Sequence, residues 1–147
     1  MRRDINLIRG LFVGVLFTLS SVLQAQSLLS FPGAEGFGRF AKGARGYGEP
    51  RVYAVTTLAD DGPGSFRDAV SQPGRFVIFK VNGIIRLKSN ITVAPYTTIA
   101  GHTAPGDGIV LYGRKVSFSG ANETIARFLR IRLGTNAGAG KNDDASG

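Results

Sequence analysis

Two adjacent aspartates, Asp143 and Asp144, and two arginines one residue apart, Arg130 and Arg132, are the groups whose types and spacing could do chemistry. Carboxylates are hard oxygen ligands, and a hard divalent cation gathers several such oxygens. Neighbouring side chains on a strand point to opposite faces, so only one aspartate serves a site unless the backbone turns there. Two carboxylates alone make a weak site, and a solvated polar stretch is the plainer alternative. Arg130 and Arg132 share a strand parity opposite to that of Leu129, Ile131 and Leu133, which turns the arginines outward. A guanidinium fork there could clamp a carboxylate in bidentate fashion; an ordinary solvated face, or an ion pair with a neighbouring strand, stays open as well. Arg127 has the parity of the apolar set and is placed at a strand end. None of the three is assigned as a base, because arginine in ordinary surroundings stays protonated.

Other chemistry is excluded by composition. The chain has 147 residues, no cysteine and a single histidine, His102, in a Gly-Thr-Pro loop. Thiolate catalysis and disulfides are without their parts, and a lone histidine in such a loop argues against a zinc cluster and a Ser/His/Asp triad. Asp60 and Asp61 open a Gly-Pro-Gly turn and read as turn formers on a solvated face rather than a cation site. Tyr96 and Tyr112 could contact a sugar, but core or stacking roles are the default for both.

Export sets the context. Met1-Arg2-Arg3, an apolar run and Val22-Leu23-Gln24-Ala25 read as a signal peptide over residues 1–25, leaving 26–147 as the mature part. The alternative is a spanning helix, for which the uninterrupted run from 11 to 23 is short. The protein is therefore expected to be secreted, extracellular or periplasmic, with no stable membrane anchor after removal of the signal. The whole chain carries a formal net charge of +8, and the mature part stays basic. Export and scattered cations argue against nucleic acid and for an extracellular polyanion, an acidic polysaccharide or an anionic cell surface. Charge serving only solubility is the bland alternative.

The elements that must position these groups are short. Residues 30–49 form a glycine-rich loop with packed aromatics; 51–55 alternate as a strand; Ser65 caps a short helix predicted over 66–71. Asp68 in place of Glu or Gln weakens the reciprocal half of a capping box. From residue 77 onward, β-branched runs of two to five residues follow one another between glycines, with no helix-length pattern to interrupt them. Ile78, Ile99 and Ile125 recur at 21 and 26 residues, a coil length that suits a parallel β-helix, with a β-sandwich as the other all-β solution.

Four strings then resemble, in order and spacing, the N-terminal part of secreted bacterial pectate lyases. They are Phe31-Pro32-Gly33-Ala34-Glu35-Gly36-Phe37-Gly38, Gly62-Pro63-Gly64-Ser65-Phe66-Arg67-Asp68-Ala69-Val70, Thr98-Ile99-Ala100-Gly101-His102-Thr103-Ala104-Pro105-Gly106 and Arg127-Phe128-Leu129-Arg130-Ile131-Arg132-Leu133-Gly134. The resemblance implies an all-β, right-handed parallel β-helix of few coils, incomplete at its C-terminus, with a short N-terminal capping helix. It implies calcium as cofactor, polygalacturonate as partner and β-elimination as the reaction. Asp144, with its neighbour Asp143, matches the family's acidic metal position, and Arg130 and Arg132 are the candidate substrate-binding pair. The family's catalytic arginine and most of its calcium carboxylates would lie beyond residue 147, so the chain alone is expected to be inactive. So few coils also imply marginal stability and self-association through the open end. A non-catalytic β-helix that binds acidic polysaccharide is the alternative function, and a lyase directed at methylated pectin a third.

Overall fold

The computed structural model describes residues 28–134. Nine short strands alternate with turns: β1 (Arg51–Val55), β2 (Arg75–Phe79), β3 (Gly83–Arg86), β4 (Ile91–Thr92), β5 (Thr98–Ala100), β6 (Ile109–Tyr112), β7 (Val116–Ser117), β8 (Ile125–Arg127) and β9 (Arg130–Arg132). Strands this short cannot bury a face alone, and they stack instead. Three sheets result, in the orders β1-β2-β5-β8, β3-β6-β9 and β4-β7, with parallel pairing throughout. β2, β3 and β4 make one coil, β5, β6 and β7 the next, and β8 and β9 open a third. This is the all-β parallel solenoid that the strand lengths called for.

Stacked inward residues form the core. Tyr53, Val77 and Ile99 follow one another through the first sheet, Ile85, Leu111 and Ile131 through the second, and Ile91 and Val116 through the third. Each inward side chain thus meets another apolar or aromatic one about 4.8 Å away along the axis. At the β1 end the cross-section is closed by α1 (Phe66–Ala69), whose Phe66 is fully buried and stacks on Phe79 at 6.1 Å between centroids. The helix is shorter than the 66–71 expected. Ser65 caps it as anticipated, accepting from the Asp68 backbone N–H at 3.1 Å. The Asp68 carboxylate makes no reciprocal bond to Ser65: it accepts from the Tyr53 hydroxyl and pairs with Arg75 at 3.5 Å, while the Ser65 N–H goes to the Gly62 carbonyl.

Three local expectations need correction. Asp60 is not a solvated turn former: it is 6 % exposed and pairs with Arg67 at 2.8 Å, whereas Asp61 is exposed as anticipated. The isoleucine spacing is off by one residue, since Val77 pairs with Ile99 and Ile99 with Ala126. Ile78 and Ile125 lie on the outward parity of their strands, yet Ile125 is shielded. The Lys42 to Gly46 segment lies over that outer face, with the Ala44 N–H bonded to Thr98 Oγ1 at 2.9 Å and Gly43 so close to Thr98 and Ile125 that a Cβ would stand 2.1 Å and 2.9 Å from their side-chain atoms. An apolar residue on either parity is therefore accommodated, which misleads alignment by residue type. Finally, Arg127 does not share the inward side with Leu129. The corner at Phe128, φ 58°, resets the alternation, and the Arg127 guanidinium lies over the Phe31 ring at 4.0 Å.

Candidate polyanion-binding face

The outer face of the β3-β6-β9 sheet brings cations into register. β3 ends on Arg86, β6 on Tyr112 and β9 on Arg132, and the parallel ladder pairs Arg86 with Tyr112 and Tyr112 with Arg132. The inward neighbours Ile85 and Leu111 are fully buried, which fixes the parity and holds this row outward. The Arg86 guanidinium sits 5.3 Å from the Tyr112 ring centroid. After β9 the backbone crosses that ring at Gly134, where a Cβ would come within 2.3 Å of the tyrosine oxygen. Lys88, Arg114 and Lys115 border the row in the adjoining turns; Arg114 Nε donates to the Lys88 carbonyl at 3.2 Å, and Asn90 Oδ1 accepts from the Lys115 N–H at 3.3 Å.

Among the described residues no carboxylate pairs with Arg86 or Arg132. The ion pairs among the described residues use Arg51, Arg67 and Arg75, away from this sheet. Acids are committed elsewhere: Asp60 to Arg67, Asp68 to Tyr53 and Arg75, and Glu123 to the Lys42 backbone N–H at 2.7 Å. A row of guanidinium and ammonium groups attracts anions, and an arginine beside an aromatic ring holds its planar fork ready for a carboxylate.

Arg130 and Arg132 are both exposed, as their parity predicted, but they do not act side by side. Arg132 joins the Arg86 and Tyr112 row. Arg130, stacked in register on Val110, turns its guanidinium to the loop before β6 and donates to the Asp107 carbonyl at 2.7 Å. Arg86 and Tyr112 were missed as a pair because their adjacency depends on register; the signal present in the sequence was that both close an apolar strand at the same parity. Asp143 and Asp144 lie outside the described residues. Among the described residues no three acidic or histidine side chains gather as a metal site, so these residues do not fit calcium and no step is routed through it. His102 lies in the short turn Gly101–Thr103, its ring edge-on to Phe128 at 5.4 Å. No described helix is long and apolar enough to cross a membrane.

No protein-family model matches the chain. It is 50 % identical over 129 residues to a protein of Aspergillus flavus named probable pectate lyase C, an alignment covering 88 % of this chain and 30 % of that protein. The protein of the same name from Aspergillus oryzae gives the same identity and coverage, and that of Neosartorya fischeri is 48 % identical over 134 residues, 90 % of this chain and 31 % of its own. The chain thus spans about three tenths of the length of these curated relatives, which are fungal rather than bacterial. Half identity along nearly nine tenths of its residues, on a parallel β-solenoid, makes the chain a homologue of proteins named as pectate lyases.

Proposed function

We propose that this chain is part of a secreted pectate lyase that cleaves de-esterified polygalacturonate by β-elimination, with calcium as cofactor. The observation that carries the proposal is the half identity to named pectate lyases over a solenoid that aligns Arg86, Tyr112 and Arg132 on one outer sheet face. In such an elimination a base takes the proton at C5, next to the uronate carboxylate, and the electron pair forms the C4–C5 double bond as the 4-linked oxygen leaves. The proton is weakly acidic, and the charge spreading onto the carboxylate is what a cation would stabilise. Asp144 and Asp143 are proposed as this chain's contribution to the calcium site. Arg132, with Arg86 beside Tyr112, is proposed to hold substrate carboxylates; the described residues supply binding and orientation, and no base is assigned among them. Residues 1–25 are proposed as the export signal, and a bacterial source stays part of this reading.

The test is release of unsaturated uronide from polygalacturonate by the whole protein, followed by its ultraviolet absorbance. Activity abolished by a chelator and restored by calcium is expected. Full activity in the chelator rejects calcium, and no product from the calcium-loaded whole protein rejects the lyase. A second reading, a solenoid that binds acidic polysaccharide without cleaving it, is favoured by the basic face itself. Salt-sensitive, chelator-insensitive binding without product would establish it in place of the first.

A further inference from the structure

A second surface, one corner away from the cationic row, has the parts of a binding site. Phe128 is 62 % exposed and holds φ 58°, a conformation that a bulky side chain adopts only at a cost of about 1 kcal/mol or more. Glycine or asparagine would fill such a corner with less strain. The ring does not serve the core. Its ring contacts among the described residues are the His102 edge at 5.4 Å and the Arg127 guanidinium at 4.9 Å. Beside it opens a cleft of about 400 Å³ between Phe128 and the loop preceding β6, lined also by His102, Asp107, Leu129 and Arg130. Arg130 is pinned there through one N–H by the Asp107 carbonyl at 2.7 Å, and its other N–H groups have no partner among the described residues. The backbone around the cleft is tight: a Cβ on Gly101 would fall 2.2 Å from the Phe128 carbonyl oxygen, so the platform and the loop hold one geometry.

We infer that this notch binds a uronate unit of an acidic polysaccharide, as a secondary anchoring site separate from the Arg86, Tyr112 and Arg132 row. A sugar ring presents an apolar C–H face to an aromatic platform, and a uronate adds a carboxylate for a guanidinium fork. Arg130 in the lining, with the Arg127 guanidinium 4.9 Å from the Phe128 ring, outweighs the single carboxylate of Asp107, which selects an anionic sugar over a neutral one and leaves Asp107 as an acceptor for hydroxyl groups. The inference rests on the pectate reading for the identity of the polymer, while the notch itself rests on Phe128 and Arg130.

The experiment is a nuclear magnetic resonance titration of the protein with trigalacturonate, with neutral galactotriose in parallel. Shifts are expected at the amides of Gly101, Gly106 and Gly108, and Phe128→Asn and Arg130→Gln should each weaken the binding read at those amides about tenfold. Asparagine tolerates the positive φ, and Phe128→Tyr should retain binding, so a melting curve separates lost affinity from lost fold. Wild-type binding with no shift at these glycines, undiminished in both variants, overturns the notch and leaves the pectate reading standing. No binding of trigalacturonate anywhere overturns both. Equal binding of galactotriose overturns the preference for an anion.

Discussion

Arg67 joins three parts of the chain at the capped end. It pairs with Asp60 at 2.8 Å and donates to the carbonyls of Ser89 and Asn90, both at 2.9 Å, so one side chain on α1 ties the preceding turn to the turn before β4. Arg67→Met leaves the Asp60 carboxylate buried and unpaired, and should cost about 2–4 kcal/mol in a denaturant titration. Tyr53 is the second such residue. Its hydroxyl donates to Asp68 and accepts from the Gly64 N–H at 2.8 Å, and the bond to Asp68, before burial, raises its pKa above the ordinary 10.0. The unfolded tyrosine ionises first as pH rises, so this contribution is whole below about pH 10 and is lost as pH climbs through the raised value. Tyr53→Phe should be less stable at neutral pH by about 1 kcal/mol, and its deficit should shrink at strongly alkaline pH in paired melts. A deficit that stays constant would remove the hydroxyl from the account. Neither role was legible in the sequence. Asp60 and Asp61 look alike on paper, and only closure of the coil brings Arg67 to one of them; the Ser65 cap, by contrast, is a local bond and was read correctly.

At the level of elements, strand positions were legible and strand register was not. Alternation of apolar and polar residues acts over two or three positions, so the runs from 77 to 133 mark β2 to β9 to within a residue or two. Register depends on which parity faces inward, and residues 42–46 hide one outer face well enough for Ile125 to sit on it. Corners were legible only as glycines. Gly101 is a corner of a different kind from Gly38: it faces the backbone oxygens of Phe128 and Arg127, whereas Gly38 has open space where a Cβ would go. Gly101→Ala should lower stability by about 2 kcal/mol or more, as overpacking against main chain does, and Gly38→Ala should stay within about 0.5 kcal/mol of wild type in the same melt. Equal effects would mean that the corner relaxes freely.

For the whole molecule, the net charge of +8 was compatible with a polyanion partner or with solubility alone, and it did not say where a partner would lie. The three-sheet cross-section gives that charge a direction, because side chains at one register position recur along the axis. Arg86→Gln and Arg132→Gln should each weaken retention on immobilised polygalacturonate about two- to fivefold at low salt, with the differences fading as salt rises. Loss that is independent of salt would point to damaged packing instead. The row carrying these arginines has a consequence for how a polymer moves on it. Its members are spaced at the interval between strands, so Arg86 and Arg132 stand about 9.6 Å apart, with the Tyr112 ring as the step between them. A regular polyanion lying along the axis and displaced by one of its own repeats meets nearly the same potential as before. If the row holds substrate carboxylates as proposed, it is a track along which polysaccharide slides without first letting go.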